Sequence, residues 1–313
     1  MSEIKYDIEG RQDRGEMSAY HRKPSFRDMS KGAKCADIKG LKSTSIRNLI
    51  ELDGDYSSKF TIGMEVEKTQ LSRGAVKEYA LFCGFERDSS CGYEAVTNIL
   101  PLLPKGKWRN KVFNMMFEAR KVIEDAYSPS DRRCGGHITV AVDGMSGAEL
   151  QQALKKNCGI IYALFRKRLS NNYCRANMTM NPAGEDGMYG AGGRYCTTLV
   201  KDYCLEFRLP SRFQSVKQMM RRYELFYELL DFSINNPNGS HSSFLKRVEP
   251  IINLMYEGDA EKLSYLIELS EDFRKMLISN KVNRKVIEFV DPMRQLCRDT
   301  WYDNDLIENG SRP

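Results

Sequence analysis

Two glutamates stand two positions apart in the segment 59–67, which reads KFTIGMEVE. Read with a period of two, its large apolar residues share one face, and Glu65 and Glu67 share the other face with Thr61 and Gly63. Side chains two positions apart on a strand lie roughly 7 Å apart. Two carboxylates this close favour a cation beside them, and carboxylate oxygens suit Mg²⁺ or Mn²⁺. The segment predicts a half-buried strand whose polar face is either part of a metal site or an ordinary solvated acidic face.

Polar groups in a similar arrangement recur in three later segments. Each lies in, or at the turn beside, a short stretch whose residues alternate between two faces. The groups are Asp88 and Glu94 around the turn that precedes 93–97, His137 in 134–142, and Glu206 with Arg208 in 203–210. Each group also has an ordinary explanation. Glu206 and Arg208 could pair with neighbours across a sheet, and His137 could be a hydrogen-bonded core histidine.

Taken together, these groups predict a metal–nucleotide site. Five carboxylates pooled on one sheet face would repel each other strongly unless divalent cations lay among them. Magnesium in such a site would neutralise phosphate oxygens during phosphoryl transfer, and Arg208 would stabilise the developing negative charge. The common motifs are missing, since the sequence has no Walker motif, no Gly-x-Gly-x-x-Gly opening a helix and no His-Glu-x-x-His.

A glycine-rich stretch follows between residues 181 and 193 and contains five glycines. This density of glycine either lets the backbone approach a bound phosphate closely or produces only a flexible loop. By itself it is a weak indication of phosphate binding.

Length and composition set broad limits on the protein class. The 313 residues suffice for one large domain or two small ones. The net charge of +6 permits an anionic partner without demanding one, and the interspersed acidic residues argue against nucleic acid. We expect a cytoplasmic protein without a membrane segment, because there is no secretion signal and no apolar run of about 18 residues. The 9 cysteines include no Cys-x-x-Cys pair, which argues against a zinc ribbon and for reduced thiols.

The pattern of elements predicts an α+β fold in three parts. Residues 1–56 form a polar N-terminal arm, 57–235 an α+β catalytic domain, and 236–313 a helical C-terminal extension. Helical spacing predicts helices over 108–127 and from Ser146 towards 169, the second with a weak point at Cys158–Gly159. Like Ser146 with Glu149 at the start of that second helix, Ser215 with Gln218 has the spacing of a capping box and predicts the start of another helix.

Five short segments, in this order, resemble the signature of the amidoligase family, whose members are related to glutamine synthetase and glutamate–cysteine ligase. The segments are GMEVE at 63–67, DSSCGYEAVT at 88–97, GHITV at 136–140, RY at 194–195 and LEFR at 205–208. The resemblance implies an antiparallel sheet of the glutamine synthetase-like type, curved around an ATP site and packed with helices. It also implies ATP- and Mg²⁺-dependent joining of a carboxylate to an amine through an acyl phosphate.

The resemblance assigns roles to individual residues. The metal ligands would be Glu65, Glu67, Glu94, Glu206 and His137, with His137 binding either a metal or a nucleotide phosphate. The catalytic group would contain Arg208, Arg194 and Asp88, and Gly192 and Gly193 would bind the cofactor together with His137 and Arg208. The implied partners are a small-molecule or peptide carboxylate and an amine, and a homo-oligomer is compatible with this class.

The chain departs from the family pattern at two positions. Many members have a second histidine where this chain has Thr139, and Asp-Gly-Ser is commoner than the Asp-Ser-Ser at residues 88–90. A non-catalytic binding or scaffold protein that keeps the ligase-like fold is therefore an alternative. A rolling-circle DNA nickase is a weaker one, because the GHITV segment lacks the second histidine and no Tyr-x-x-x-Lys follows in the expected helices.

Overall fold

The computed structural model describes residues 58–88, 91–108, 111–131, 133–170, 197–201, 204–255 and 259–279. The expected N-terminal arm and the glycine-rich stretch, including Gly192, Gly193 and Arg194, lie outside the described residues. The predicted boundaries at 56/57 and 235/236 stay predictions.

The described part of the chain contains seven strands, nine α-helices and one 3₁₀ turn, with the three longest helices at its C-terminal end. The strands are β1 (Phe60–Lys68), β2 (Phe82–Asp88), β3 (Gly92–Thr97), β4 (Leu100–Pro101), β5 (Ile138–Val142), β6 (Thr198–Lys201) and β7 (Cys204–Phe207). The helices are α1 (Arg73–Lys77), α2 (Lys105–Trp108), α3 (Val112–Glu118), α4 (Arg120–Ile123), α5 (Gly147–Lys155), α6 (Gly159–Leu164), α7 (Val216–Asn235), α8 (His241–Met255) and α9 (Ala260–Ser279), with a 3₁₀ turn at Arg166–Ser170.

The described strands form an open antiparallel sheet of seven, which confirms the predicted α+β class. Six strands follow the order β2-β3-β1-β5-β7-β6, and β4 pairs with β1 beside this path. Strand β1 pairs with β3 through Glu67↔Glu94 and with β5 through Gly63↔Thr139. Because β1 is flanked on both sides, its residues bring three separate parts of the chain to one place.

Strand β1 is more buried than its alternating sequence predicts. Its apolar face is buried at Phe60, Ile62, Met64 and Val66, as expected from the period of two. The polar face is also largely covered, and only Glu65 is intermediate in exposure. Because this face is covered as well, its polar groups must find partners within the protein.

Lys68 is the last residue of β1, and its side-chain ammonium is buried. Its Nζ donates to the carbonyl oxygen of Ile123 at 2.8 Å, to Asp125 Oδ1 at 2.8 Å and to the carbonyl oxygen of Phe213 at 3.3 Å. Burial lowers the pKa of Lys68, although the negative charge of Asp125 acts in the opposite direction. This ammonium therefore ties the end of β1 to the residues after α4 and before α7.

The chain divides into two compact units. The first contains the described residues up to Gly147 with those of Lys201–Leu205 and Arg212–Met220, and the second contains those of Ala148–Val200, Glu206–Ser211 and from Arg221 onwards. The first unit holds most of the sheet. The second is mainly helical, and its core includes the ring pairs Tyr162–Phe273 and Phe207–Phe226, with centroids 5.7 and 5.0 Å apart.

The predicted helices form, but two of them are broken. The segment 108–127 splits into α3 and α4 around Ala119, and the segment after Ser146 stops at Lys155 and restarts at Gly159. The second break lies at the predicted weak point. A Cβ built on Gly159 would lie only 2.1 Å from the carbonyl oxygen of Ser270, so glycine allows α6 to pack closely on α9.

Half of the predicted capping box at Ser215 forms, since Gln218 N donates to Ser215 Oγ at 3.1 Å, while the Gln218 side chain accepts from Gln214 N at 2.8 Å. Among the described helices, none has both the length and the apolar character needed to cross a membrane.

Candidate metal centre

Glu65 and Glu67 lie on the same face of β1 but differ in exposure. The side chain of Glu65 is 20% exposed and that of Glu67 is 4% exposed. A carboxylate as buried as Glu67 needs partners, because an unpaired buried charge costs several kcal/mol. One partner is a backbone amide, since Gly135 N donates to Glu67 Oε2 at 2.6 Å. This bond fixes the direction in which the remaining carboxylate oxygen points.

His137 lies between these two carboxylates, just before β5. Its Nδ1 is 2.8 Å from Glu65 Oε2, and its Nε2 is 3.4 Å from Glu67 Oε1. The backbone amide of Glu65 donates to the carbonyl oxygen of His137 at 3.0 Å, which aligns the two segments. A neutral imidazole has only one N–H, so it can donate to one of the two carboxylates but not to both.

Glu94 completes an acidic group with Glu65 and Glu67. It is the direct partner of Glu67 in the antiparallel pairing of β1 and β3. One oxygen from each of the three carboxylates lies within 4.8 Å of the other two. Like charges placed opposite each other destabilise a sheet unless another charge compensates them. This acidic group has the ligand chemistry and spacing of a site for a hard divalent cation such as Mg²⁺ or Mn²⁺.

Asp88 ends β2 and lies close to Glu94 and to Cys91, which precedes β3. Its Oδ1 accepts a hydrogen bond from the backbone N of Cys91 at 3.3 Å, and one oxygen each from Asp88 and Glu94 lies within 4.8 Å of the Cys91 sulfur. Gly92 then enters β3 with a φ of 119°, a conformation that favours glycine, and a Cβ there would lie 3.0 Å from the carbonyl oxygen of Thr69.

The pKa of the Cys91 thiol is raised well above its ordinary value. The largest cause is a hydrogen bond with Cys134, followed by burial and the nearby negative charges of Glu67 and Glu94. Cys91, whose sulfur lies within 4.8 Å of oxygens of Asp88 and Glu94, was missed by the sequence analysis. The available signal was the position of Cys91, three residues after Asp88 and three before Glu94.

Glu206 and Arg208, which belong to the second unit, form an ion pair with each other. Arg208 Nη1 is 2.5 Å from Glu206 Oε1, and the backbone amide of Arg208 donates to the carbonyl oxygen of Thr197 at 2.9 Å. Glu206 is buried on β7. The two side chains share a face as their spacing predicted, and the roles of Glu206 as a metal ligand and Arg208 as a catalytic cation stay predictions.

The structure therefore brings together four of the predicted site residues, Glu65, Glu67, Glu94 and His137, and places Asp88 next to Glu94. A comparison with known protein families finds no family that matches the chain, and a comparison with curated proteins finds no similar sequence. The functional interpretation therefore depends on the order of the motifs and on the geometry of this site.

Proposed function

We propose that the chain is a carboxylate–amine ligase of the amidoligase type that uses ATP with Mg²⁺ or Mn²⁺. The observation that carries the proposal is the acidic group on β1 and β3, in which oxygens of Glu65, Glu67 and Glu94 lie within 4.8 Å of one another. The proposal includes a sheet of the glutamine synthetase-like type curved around the nucleotide.

This reaction gives a reason for placing several carboxylates together in a buried position. Two carboxylates opposite each other in a sheet are unfavourable without a cation, and their retention is reasonable where a metal is required. The bound metal would neutralise phosphate oxygens as a substrate carboxylate takes the γ-phosphoryl group and becomes an acyl phosphate. An amine then attacks the acyl carbon, phosphate leaves, and an amide bond results.

The side chains in the site would have distinct tasks in this reaction. Glu65, Glu67 and Glu94 would hold the metal, and Gly135 would keep Glu67 in position through its backbone amide. His137 contacts both Glu65 and Glu67, so it would orient them and bind either a metal or a phosphate oxygen.

The remaining predicted residues complete the proposal. Glu206 would be a further metal ligand, and Arg208 and Arg194 would stabilise the transferred phosphoryl group. Asp88 would bind a metal or the amine, and Gly192 and Gly193 would lie against the nucleotide.

Thermal unfolding with and without a non-hydrolysable ATP analogue and Mg²⁺ tests the binding part of the proposal. Ligand binding to the folded state at 100 times its dissociation constant stabilises a protein by about 2.7 kcal/mol, which raises the melting temperature. The increase should require both Mg²⁺ and the nucleotide, and Glu94→Gln should abolish it. Glu118→Gln is the matched control, because Glu118 is exposed on α3 of the same unit. An unchanged melting temperature in the folded wild-type protein would contradict the proposal.

A non-catalytic binding protein with the same sheet is the second candidate. The observation that favours it is the pairing of Glu206 with Arg208, since each of these predicted site residues already neutralises the other. Mg²⁺-dependent nucleotide binding without ATP turnover, across a panel of carboxylates and amines, would support this candidate over the ligase.

A further inference from the structure

The residue that directly follows Glu67 carries a fully buried ammonium. The side chain of Lys68 has no exposed area, and its Nζ lies 2.8 Å from Asp125 Oδ1 in an ion pair. The carbonyl oxygens of Ile123 and Phe213 also accept hydrogen bonds from it, at 2.8 and 3.3 Å. These residues belong to the first unit, as do the carboxylates of the candidate metal centre.

An ion pair with a buried ammonium is a poor means of stabilising a fold. Removing a charge from water costs several kcal/mol, and replacing a buried pair by apolar side chains is often neutral or stabilising. Such pairs are retained in some proteins because they select one arrangement of the chain. Lys68 has acceptors in two separate parts of the chain, at 123–125 and at 213. Both parts must therefore take up defined positions beside the end of β1.

Residues 123–135 follow from this attachment and are bound to β1 again further along. Thr69 N and Thr69 Oγ1 both donate to the carbonyl oxygen of Pro129, at 2.9 and 3.0 Å. Ser130 Oγ donates to Asp125, which connects the middle of this segment with the carboxylate that pairs with Lys68. The ammonium of Lys68 therefore holds one end of a segment whose middle part is already fixed to the next residue of the chain.

The other end of the same segment orients Glu67. Gly135 N donates to Glu67 Oε2 at 2.6 Å, and the second oxygen, Oε1, lies 3.4 Å from His137 Nε2. A shift of residues 123–135 would move the Gly135 amide and turn the Glu67 carboxylate with it. The geometry of the buried ammonium is thus transmitted to a carboxylate of the acidic group.

We propose that Lys68 is a positioning residue for the acidic group, because its ammonium holds residues 123–135 so that Gly135 N directs Glu67 towards a divalent cation. This inference rests on the metal site of the proposed function. Groups that orient a metal ligand without touching the metal typically contribute about 10- to 100-fold to metal affinity. Lys68 should therefore affect metal affinity more than it affects folding.

Titration of the nucleotide-free protein with Mn²⁺, with free Mn²⁺ measured by electron paramagnetic resonance, tests this role. Lys68→Met keeps a long unbranched side chain and removes the ammonium. It should raise the dissociation constant for Mn²⁺ by about tenfold or more in protein that circular dichroism shows to be folded. Folded Lys68→Met with wild-type Mn²⁺ affinity would overturn the proposal, whatever its melting temperature, because a merely structural role changes stability alone.

Arg133→Ala provides the matched control. Arg133 lies in the same segment and pairs with Asp131 at 2.8 Å, but both side chains are largely exposed. An exposed ion pair contributes little to the position of the backbone. This variant should keep wild-type Mn²⁺ affinity, and a loss equal to that of Lys68→Met would overturn the specific role of Lys68.

Hydrogen exchange of the Gly135 amide, measured by NMR without metal, reads the positioning directly. Exchange at Gly135 should be faster in Lys68→Met by about tenfold or more, while Val140 in β5 should exchange as in wild type. Asp125→Asn weakens the same attachment from the other partner and should act in the same direction, which covers the case in which Lys68→Met does not fold. Unchanged Gly135 exchange in the folded variants would overturn this inference alone. Folded wild-type protein that does not bind Mn²⁺ would overturn the metal role of Lys68 together with the ligase proposal.

Discussion

His137 and His241 are both buried, but their surroundings differ. His137 has a carboxylate near each ring nitrogen, from Glu65 and Glu67. The hydrogen-bonding groups closest to His241 are neutral, with Asn157 Oδ1 3.5 Å from Nδ1 and Ser270 Oγ 3.4 Å from Nε2, and one carboxylate, Glu271, lies 3.8 Å from Nε2. Burial lowers the pKa of His241 to about 4, although a nearby glutamate acts in the opposite direction.

The difference separates a structural histidine from a candidate functional one. Around His241, neutral hydrogen bonds join three helical segments of the second unit, and Asn157 Nδ2 also donates to Ser233 Oγ at 2.9 Å. Such a network satisfies a neutral imidazole and favours close packing. Around His137, by contrast, a carboxylate lies close to each ring nitrogen, and carboxylates are the ligand type of the proposed metal site.

The largest expected effect concerns the carboxylates around His137. On the ligase proposal, Glu67→Gln should lower Mg²⁺-dependent ATP turnover by about 100- to 1,000-fold, because the charge of a proposed metal ligand is removed while an acceptor for Gly135 N is kept. Steady-state turnover with saturating substrates measures the effect. His241→Gln is the control from the other region and should retain wild-type turnover per folded molecule. Equal losses in both variants would end the distinction between the two histidines.

The helices around His241 pack closely, so the stability of the second unit should be sensitive to one added methyl group. Gly159→Ala should lower the free energy of unfolding by about 3 kcal/mol, because the new Cβ would meet the backbone of Ser270 at 2.1 Å and backbone cannot rotate away. Denaturant-induced unfolding measures the change. Gly106→Ala is the control, since a Cβ at Gly106 meets nothing within 4 Å. A neutral effect of Gly159→Ala would mean that α6 and α9 are not closely packed.

The lowered pKa of His241 predicts a dependence of stability on pH. The unfolded state binds a proton near pH 6.5 and the folded state only near pH 4, so this contribution is present above pH 6.5 and is lost as the pH falls towards 4. At pH 4.5 the loss should be about 2 kcal/mol. Denaturant unfolding at pH 7 and pH 4.5 measures it. His241→Gln should show a smaller difference between the two pH values than wild type does.

The smallest effect is expected at Glu271, whose Oε2 is 3.8 Å from His241 Nε2. Glu271→Gln should lower the pKa of His241 further, because a stabilising negative charge is lost while Arg274 and Lys156 continue to act in the same direction as burial. Stability at pH 7 should change by less than about 1 kcal/mol, since His241 is neutral there and the ion pair of Glu271 with Arg274 that is also lost is partly exposed. An NMR titration of the His241 ring measures the pKa. A rise in this pKa would contradict the raising effect assigned to the Glu271 charge.

Local patterns were sufficient to predict many of the elements. The alternation in 59–67 predicted β1, and Ser215 with Gln218 predicted the start of α7. The weak point at Cys158–Gly159 was also visible. The 3₁₀ turn and the short strands β4 and β6 were not predicted, because segments of two to five residues have too little sequence for a period to be recognised.

The sequence was enough to establish which residues carry charge and which face of β1 each one occupies, since the period of a strand is a property of a few neighbouring residues. The pairing of Glu67 with Glu94, the position of His137 between two carboxylates and the position of Cys91 beside Asp88 and Glu94 became apparent only in the folded chain. These contacts join segments tens of residues apart, and their register depends on how whole strands and turns pack. No local pattern encodes that register, and it is the register that turns scattered acidic residues into one candidate metal centre.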